Sequence, residues 1–269
     1  MKTTQFLLLT LTGILLMSIT GCGLRDEKSK GKGLNLFSVN RDIELGAQVA
    51  AEIDGNPQQY PLLDSASNVE AYKLIYKVRD EILNSGQVDY RDEFSWRLRI
   101  IKDDSTLNAF CTPGGYIYVY TGILKFLDNE AQLAGVMGHE IAHADQRHST
   151  RQMTKIYGVQ VLLEILAGNQ QMLKEITAGL VSLKFSRSHE TEADEYSVKY
   201  LCPTKYDAAG GAGFFKKIEE QGGQRPPEFL STHPNPSNRI ANFYKTKEVS
   251  GCKGAFDNAA EYRRIVDRL

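Results

Sequence analysis

The sequence is short of the features that would place it in several large protein classes. Four cysteines among 269 residues are too few for a disulfide-built scaffold. An excess of charge is missing as well. Lys and Arg number 32 against 33 Asp and Glu, a net charge of −1, so no field drives general nucleic-acid binding, and no basic stripe supplies one locally. Neither an internal repeat nor a low-complexity tract is present. Hydrophobic residues at 42% and charged residues at 24% exclude a disordered chain. The one conspicuous apolar run, Phe6 to Met17, is shorter than the roughly 20 residues that span a bilayer.

That run follows Lys2 and precedes Ile19-Thr20-Gly21-Cys22, the arrangement of a secretory signal. Small residues before a Cys resemble a bacterial lipobox, in which the Cys becomes the lipidated first residue. We therefore expect a signal peptide over 1–21, a lipid-anchored flexible tether over 22–34 and one domain over 35–269. Gly23, standing where Asp would retain a lipoprotein at the inner membrane, points to the periplasmic face of the outer membrane. Removing Cys22 leaves Cys111, Cys202 and Cys252. One disulfide and one free thiol is the simplest arrangement, with Cys202–Cys252 preferred because it staples the tail to the body.

Apolar spacing predicts helices over 41–53 and from Ser67 or Asn68 to about 83. Alternation predicts strands at Phe94–Ile101 and Tyr116–Tyr120, separated by Asn108-Ala109-Phe110 and a Pro113-Gly114 turn. From Asp128 or Asn129 onward the chain reads as helices at about 129–148, 150–168, 170–185, 188–201, 207–220, 236–247 and 257–268. The apolar residues between Ile156 and Leu183 read as ordinary core. The alternative for them is a mobile lid or a membrane-facing hairpin. The fold class is α+β: mainly helical, with a small antiparallel sheet next to the active-site helix.

The chemistry lies at 139–143 and 190–194. His139 and His143, four apart in a helix, share a face and can reach one zinc ion, while Glu140 is placed to address a water as general base. A catalytic zinc needs a third protein ligand and an open fourth position. Glu190 and Asp194, again four apart, fit as third ligand and as the carboxylate that orients a ligand His, His139 by preference. Glu192 points away from that face, and His189 is off it.

His139-Glu140-Ile141-Ala142-His143 with Glu190-Thr191-Glu192-Ala193-Asp194 resembles the zinc metallopeptidases of the CAAX-prenyl-protease type (gluzincins). Within them the chain is similar to the BepA- and LoiP-like bacterial lipoprotein branch. Asn108-Ala109-Phe110 before Pro113-Gly114-Gly115, and His233-Pro234-Asn235-Pro236-Ser237-Asn238-Arg239-Ile240, agree with that family's motifs. The resemblance implies a zincin-type domain holding one zinc per chain and hydrolysing peptide bonds of unfolded or misassembled envelope proteins. The oxyanion of that reaction needs a further donor, for which His233 or Arg239 would serve, and the resemblance equally allows His233 to close over the metal in a resting form. Asn108, Ala109 and Phe110 would form the sheet edge to which an extended polypeptide adds. The expected partners are polypeptides and, through Cys22, a membrane; nucleic acid is not among them. Two other readings compete. One is a chaperone-like binding module without proteolysis, against which Glu140 argues, since a holder has no use for a base. The other is a zinc hydrolase of peptidoglycan amide bonds, against which the edge-strand segment argues.

Overall fold

The computed structural model describes residues 33–166, 168–220, 228–234 and 238–269. Cys22 and most of the expected tether, the Gly222–Pro227 loop and Asn235–Ser237 lie outside them.

Helix α1 (Val39–Asp54) starts at Ser38, whose side chain accepts from the Arg41 amide, and buries Leu45, Val49 and Ile53 along one face. Helix α2 (Val69–Leu83) buries Tyr72, Ile75 and Ile82; Asn68 is its N-cap residue but makes no side-chain cap bond. Strands β1 (Arg97–Ile101), β2 (Ala109–Thr112) and β3 (Tyr116–Tyr120) form a sheet in the order β1-β3-β2. The expected antiparallel sheet proves to be mixed: β2 and β3 are antiparallel, β1 and β3 parallel. Gly114 and Gly115, with φ of 74° and 82°, make a hairpin that fixes the first relation. The connection 102–108 then carries the chain past the central position, which β3 fills.

A short helix α3 (Thr121–Phe126), which periodicity does not reveal, leads to the central helix α4 (Glu130–Asp145). Asn129 caps α4 by accepting from the Gln132 amide at 2.9 Å. Nearly all of α4 is buried, between α7 (Arg187–Leu201), α8 (Gly210–Glu220), α2 and β2. Helix α10 (Arg239–Val249) covers α7 and α8, and α11 (Ala259–Val266) packs on α2 and α3. Cys202 and Cys252 are joined, as preferred, and Cys111 is buried and unpaired.

Small residues set how closely the helices approach α4. A Cβ added to Gly135 would lie 2.2 Å from the Gly211 nitrogen and 2.4 Å from its Cα. Gly179, in α6 (Gln170–Val181), meets nothing nearer than the Tyr157 hydroxyl at 3.9 Å. Overpacking costs roughly 1–3 kcal/mol, more than the gain of about 1 kcal/mol from replacing a helical Gly by Ala. Gly135→Ala is therefore expected to lower the melting temperature by several degrees and Gly179→Ala to raise it slightly, as thermal unfolding by circular dichroism will show. Equal responses at both sites would refute the close-approach argument.

One expectation is corrected in α5 (His148–Leu166). Ile156, Tyr157, Val159 and Leu163 are more than half exposed, so this stretch is not core. Gly158, at φ 59° and ψ −143°, interrupts the helix. The far end of the Ile156–Leu183 segment is core as expected: Ile176, Leu180 and Leu183 pack with Phe110 and Tyr118 of the sheet.

Candidate active site

His139 and His143 project one turn apart from buried α4, with their Nε2 atoms 2.9 Å from each other. Glu190 sits in the first turn of α7, where the helix dipole favours a carboxylate. Ser186 caps that turn by accepting from the His189 amide. Gly138 lets Ser197 come close to α4, and the Ser197 hydroxyl donates to the Gly135 carbonyl at 2.9 Å, which clamps α7 against α4. Glu190 consequently reaches both imidazoles: Oε2 is 3.4 Å from His139 Nε2, and Oε1 is 3.3 Å from His143 Nε2.

The corner expected to stay open for solvent is filled. His233 Nδ1 lies 3.2 Å from His139 Nε2 and 3.2 Å from Glu190 Oε1. A backbone bond from the His233 amide to the Phe229 carbonyl at 2.7 Å holds it there, in the turn that follows the short helix α9 (Glu228–Thr232). The Phe229 ring stacks on the imidazole at 4.2 Å, and the Phe229 amide bonds the Leu107 carbonyl ahead of β2.

These four side chains fit a zinc ion on three counts. Their contacts with one another include five of 2.9–3.4 Å, near the spacing of about 3.3 Å between ligands bound to zinc at 2.0–2.1 Å, and one donor atom from each lies within 4.8 Å of the others. Three imidazole nitrogens and a carboxylate are a zinc donor set, and all four residues are buried. Charge is the third count. Glu140, Glu190 and Asp194 bring three buried carboxylates to a site where Arg239 supplies one guanidinium, a setting that favours a bound cation. Glu190 Oε2 and both oxygens of Glu140 are buried without a hydrogen bond among the described residues.

Glu140 points toward the same centre, with Oε1 3.6 Å from His233 Nε2. Burial pushes its carboxyl up, opposed by the charges of His233 and His139. Glu190 behaves oppositely: burial would raise it, but His233 and His139 hold it well below the usual carboxylate range. Burial and the neighbouring His139 charge hold His143 well below the imidazole range.

Asp194 accepts from His139 Nδ1 at 2.9 Å, the orienting contact foreseen for it. Arg239 does not face open space. Its Nη2 donates to Asp194 Oδ1 at 2.7 Å and lies 3.2 Å from Glu190 Oε2, its Nε lies 2.7 Å from Asp194 Oδ2, and its guanidinium stacks on Phe215 at 3.9 Å. Asn108, Ala109 and Phe110 do lie at the sheet edge, but all three are buried, with α6 packed on β2. Residues that motif reading passed over also surround the centre. Phe185 stacks on His143 at 3.9 Å, and His148, backed by Glu192, touches its far nitrogen. All five histidines of the chain thus belong to one cluster, since His189 stacks on His148. A helical reading offers no signal for His148, because a residue five beyond His143 is off its face.

Residues 73–247 match Peptidase family M48. The chain is 32% identical over 224 residues to the beta-barrel assembly-enhancing protease of Escherichia coli K12, covering 77% of this chain and 44% of that protein. It is 33% identical over 147 residues to the mitochondrial metalloendopeptidase OMA1 of Arabidopsis thaliana, covering 54% of this chain and 30% of the relative. Metalloprotease YcaL of Escherichia coli K12 is 26% identical over 270 residues, 93% of this chain and 100% of that protein. The chain therefore spans less than half the length of the first two relatives and the whole of the third.

Proposed function

This chain belongs to peptidase family M48, and on that premise we propose that it is a zinc-dependent endopeptidase cleaving unfolded or misassembled proteins of the bacterial envelope. The observation that carries the reading is the buried group of His139, His143, Glu190 and His233, with the Glu140 carboxylate, which makes no hydrogen bond among the described residues, beside it.

A bound zinc supplies Lewis acidity to a water and to the scissile carbonyl. The remaining work falls to the chain's own residues. Glu140 accepts the proton of the attacking water and returns it to the leaving amine. Its oxygens have no hydrogen bond to surrender first. Asp194 holds His139 by Nδ1, and Arg239 holds Asp194 and Glu190 in place. His233 has two positions in this scheme. Four protein ligands are the mark of a closed site, whereas catalysis needs one corner for solvent. On this reading, the arrangement with His233 in place is a resting state. Withdrawal of His233 opens the corner and leaves its imidazole free to donate to the oxyanion. The same movement shifts α9, which is bonded to Leu107, off the start of β2, where an extended substrate adds.

Envelope proteins as substrates are supported by a relative named for enhancing β-barrel assembly, by the disulfide and by the apolar leader ending at Cys22. Anchoring through a lipid on Cys22, at the periplasmic face of the outer membrane, completes the reading. No helix among the described residues is long and apolar enough to cross a membrane. The test is bound zinc per chain together with casein cleavage, with and without a chelator, for the wild type and His233→Ala. Loss of one oxyanion donor typically costs about 10²–10³ in kcat, so His233→Ala is expected to lower kcat by roughly that factor while weakening zinc retention. One zinc per chain with no cleavage by either protein would favour the holding module and defeat the peptidase reading.

A further inference from the structure

His139 has its carboxylate, Asp194, but among the described residues no carboxylate is bonded to the outer nitrogen of His143. The contact there is a third imidazole: His148 Nδ1 lies 2.9 Å from His143 Nδ1, and both side chains are fully buried. Two ring nitrogens at that distance share one proton, and the far side of His148 decides which ring holds it. His148 Nε2 lies 3.1 Å from Glu192 Oε2. An ionised carboxylate only accepts, so Nε2 carries a hydrogen and Nδ1 of the neutral ring presents a lone pair. His143 Nδ1–H donates to that lone pair, and His143 Nε2 is left with its own lone pair pointed into the ligand set.

We propose that His148 and Glu192 are positioning residues for the metal centre, a carboxylate–imidazole relay that fixes the tautomer and ring plane of His143 as Asp194 does for His139. The inference rests on the zinc reading of the ligand set. The surroundings of His148 are built for rigidity. Its ring stacks on His189 with centroids 4.5 Å apart and planes at 10°. Arg151 Nη1 lies 3.4 Å from the same Glu192 Oε2. The backbone turn that returns His148 to His143 is made by Arg147, at φ 57°, in the left-handed region. Arg147 is locked in turn: its Nε donates to Asp42 Oδ2 at 2.6 Å and its Nη2 to the Phe37 carbonyl at 2.5 Å. A non-glycine residue held so in that region, beside a metal site, is strain that the surrounding contacts maintain.

The relay and a packing role make different predictions for two substitutions of equal size. In His148→Asn the new amide oxygen would stand where His148 Nδ1 stands and can still accept; the side chain of His148→Leu cannot. Zinc affinity of the full chain is measured by competition with a chromogenic chelator for the wild type, His148→Asn, His148→Leu and Glu192→Ala. Loss of such an outer partner typically weakens metal binding 10–100-fold. His148→Leu is expected to fall in that range, His148→Asn to recover to within a few-fold of the wild type, and Glu192→Ala to lose less than His148→Leu. In the zinc-loaded wild type, proton–nitrogen correlation spectra of the imidazoles should show His143 protonated at Nδ1. Glu192 is part-exposed, so its variant remains informative if His148→Leu fails to fold. Equal affinity in all four proteins, or an asparagine variant as weak as the leucine one, would overturn the relay. A wild type that binds no zinc would instead overturn the metal reading itself.

Discussion

Glu140→Gln is expected to cut casein hydrolysis by about a thousandfold, within the 10²–10⁴ that a positioned general base contributes. Bound zinc is expected to stay at the wild-type level. The substitution changes little but protonation. Glutamine matches glutamate in size and cannot accept the proton, and residue 140 is not one of the four side chains whose donor atoms converge. Both carboxylate oxygens are buried without a hydrogen bond among the described residues, so the neutral amide removes a desolvated charge rather than breaking a hydrogen bond. The melting temperature should hold or rise for that reason. A thousandfold loss in rate corresponds to about 4 kcal/mol of transition-state stabilisation, far beyond what a slight repacking would cause. Cleavage above a tenth of the wild-type rate, at equal zinc content, would remove Glu140 from the role of base.

The second large effect is structural. Arg239→Met is expected to lower the melting temperature by roughly 6–20 °C, since removing one partner of a buried ion pair costs about 3–5 kcal/mol. Arg239 and Glu190 are almost wholly buried, as is Asp194, and the guanidinium faces both carboxylates. Methionine fills comparable volume over Phe215 but leaves the two carboxylates without their counter-charge. A divalent ion supplies part of that charge, so the deficit should be larger in chelator than in zinc. Lysine should rescue poorly, because a point charge cannot span Asp194 and Glu190 as a fork does. An unchanged melting temperature with a large loss in kcat would instead assign Arg239 to the oxyanion.

What could be read along the chain was whatever repeats at a helical or strand period. His139 with His143, and Glu190 with Asp194, are four-residue pairs on single helices, and Tyr116–Tyr120 alternates as a strand does; each reading needs only local geometry. Helix α9 was invisible because it is five residues long, and α3 because it follows β3 without a break. The parallel pairing of β1 with β3 depends on which strand fills the middle of the sheet, a choice no single strand encodes.

The side-chain chemistry of the centre is therefore a property of the sequence: two imidazoles, a base and a carboxylate pair at fixed helical offsets. Its closure is a property of the tertiary structure. His233 enters from far beyond α4 along the chain because Phe229 stacks on it and bonds Leu107. His148 returns to His143 because Arg147, pinned by Asp42, takes a left-handed turn. Both placements are made by contacts between distant segments, and the period of a helix carries no information about what another part of the chain will bring to its side.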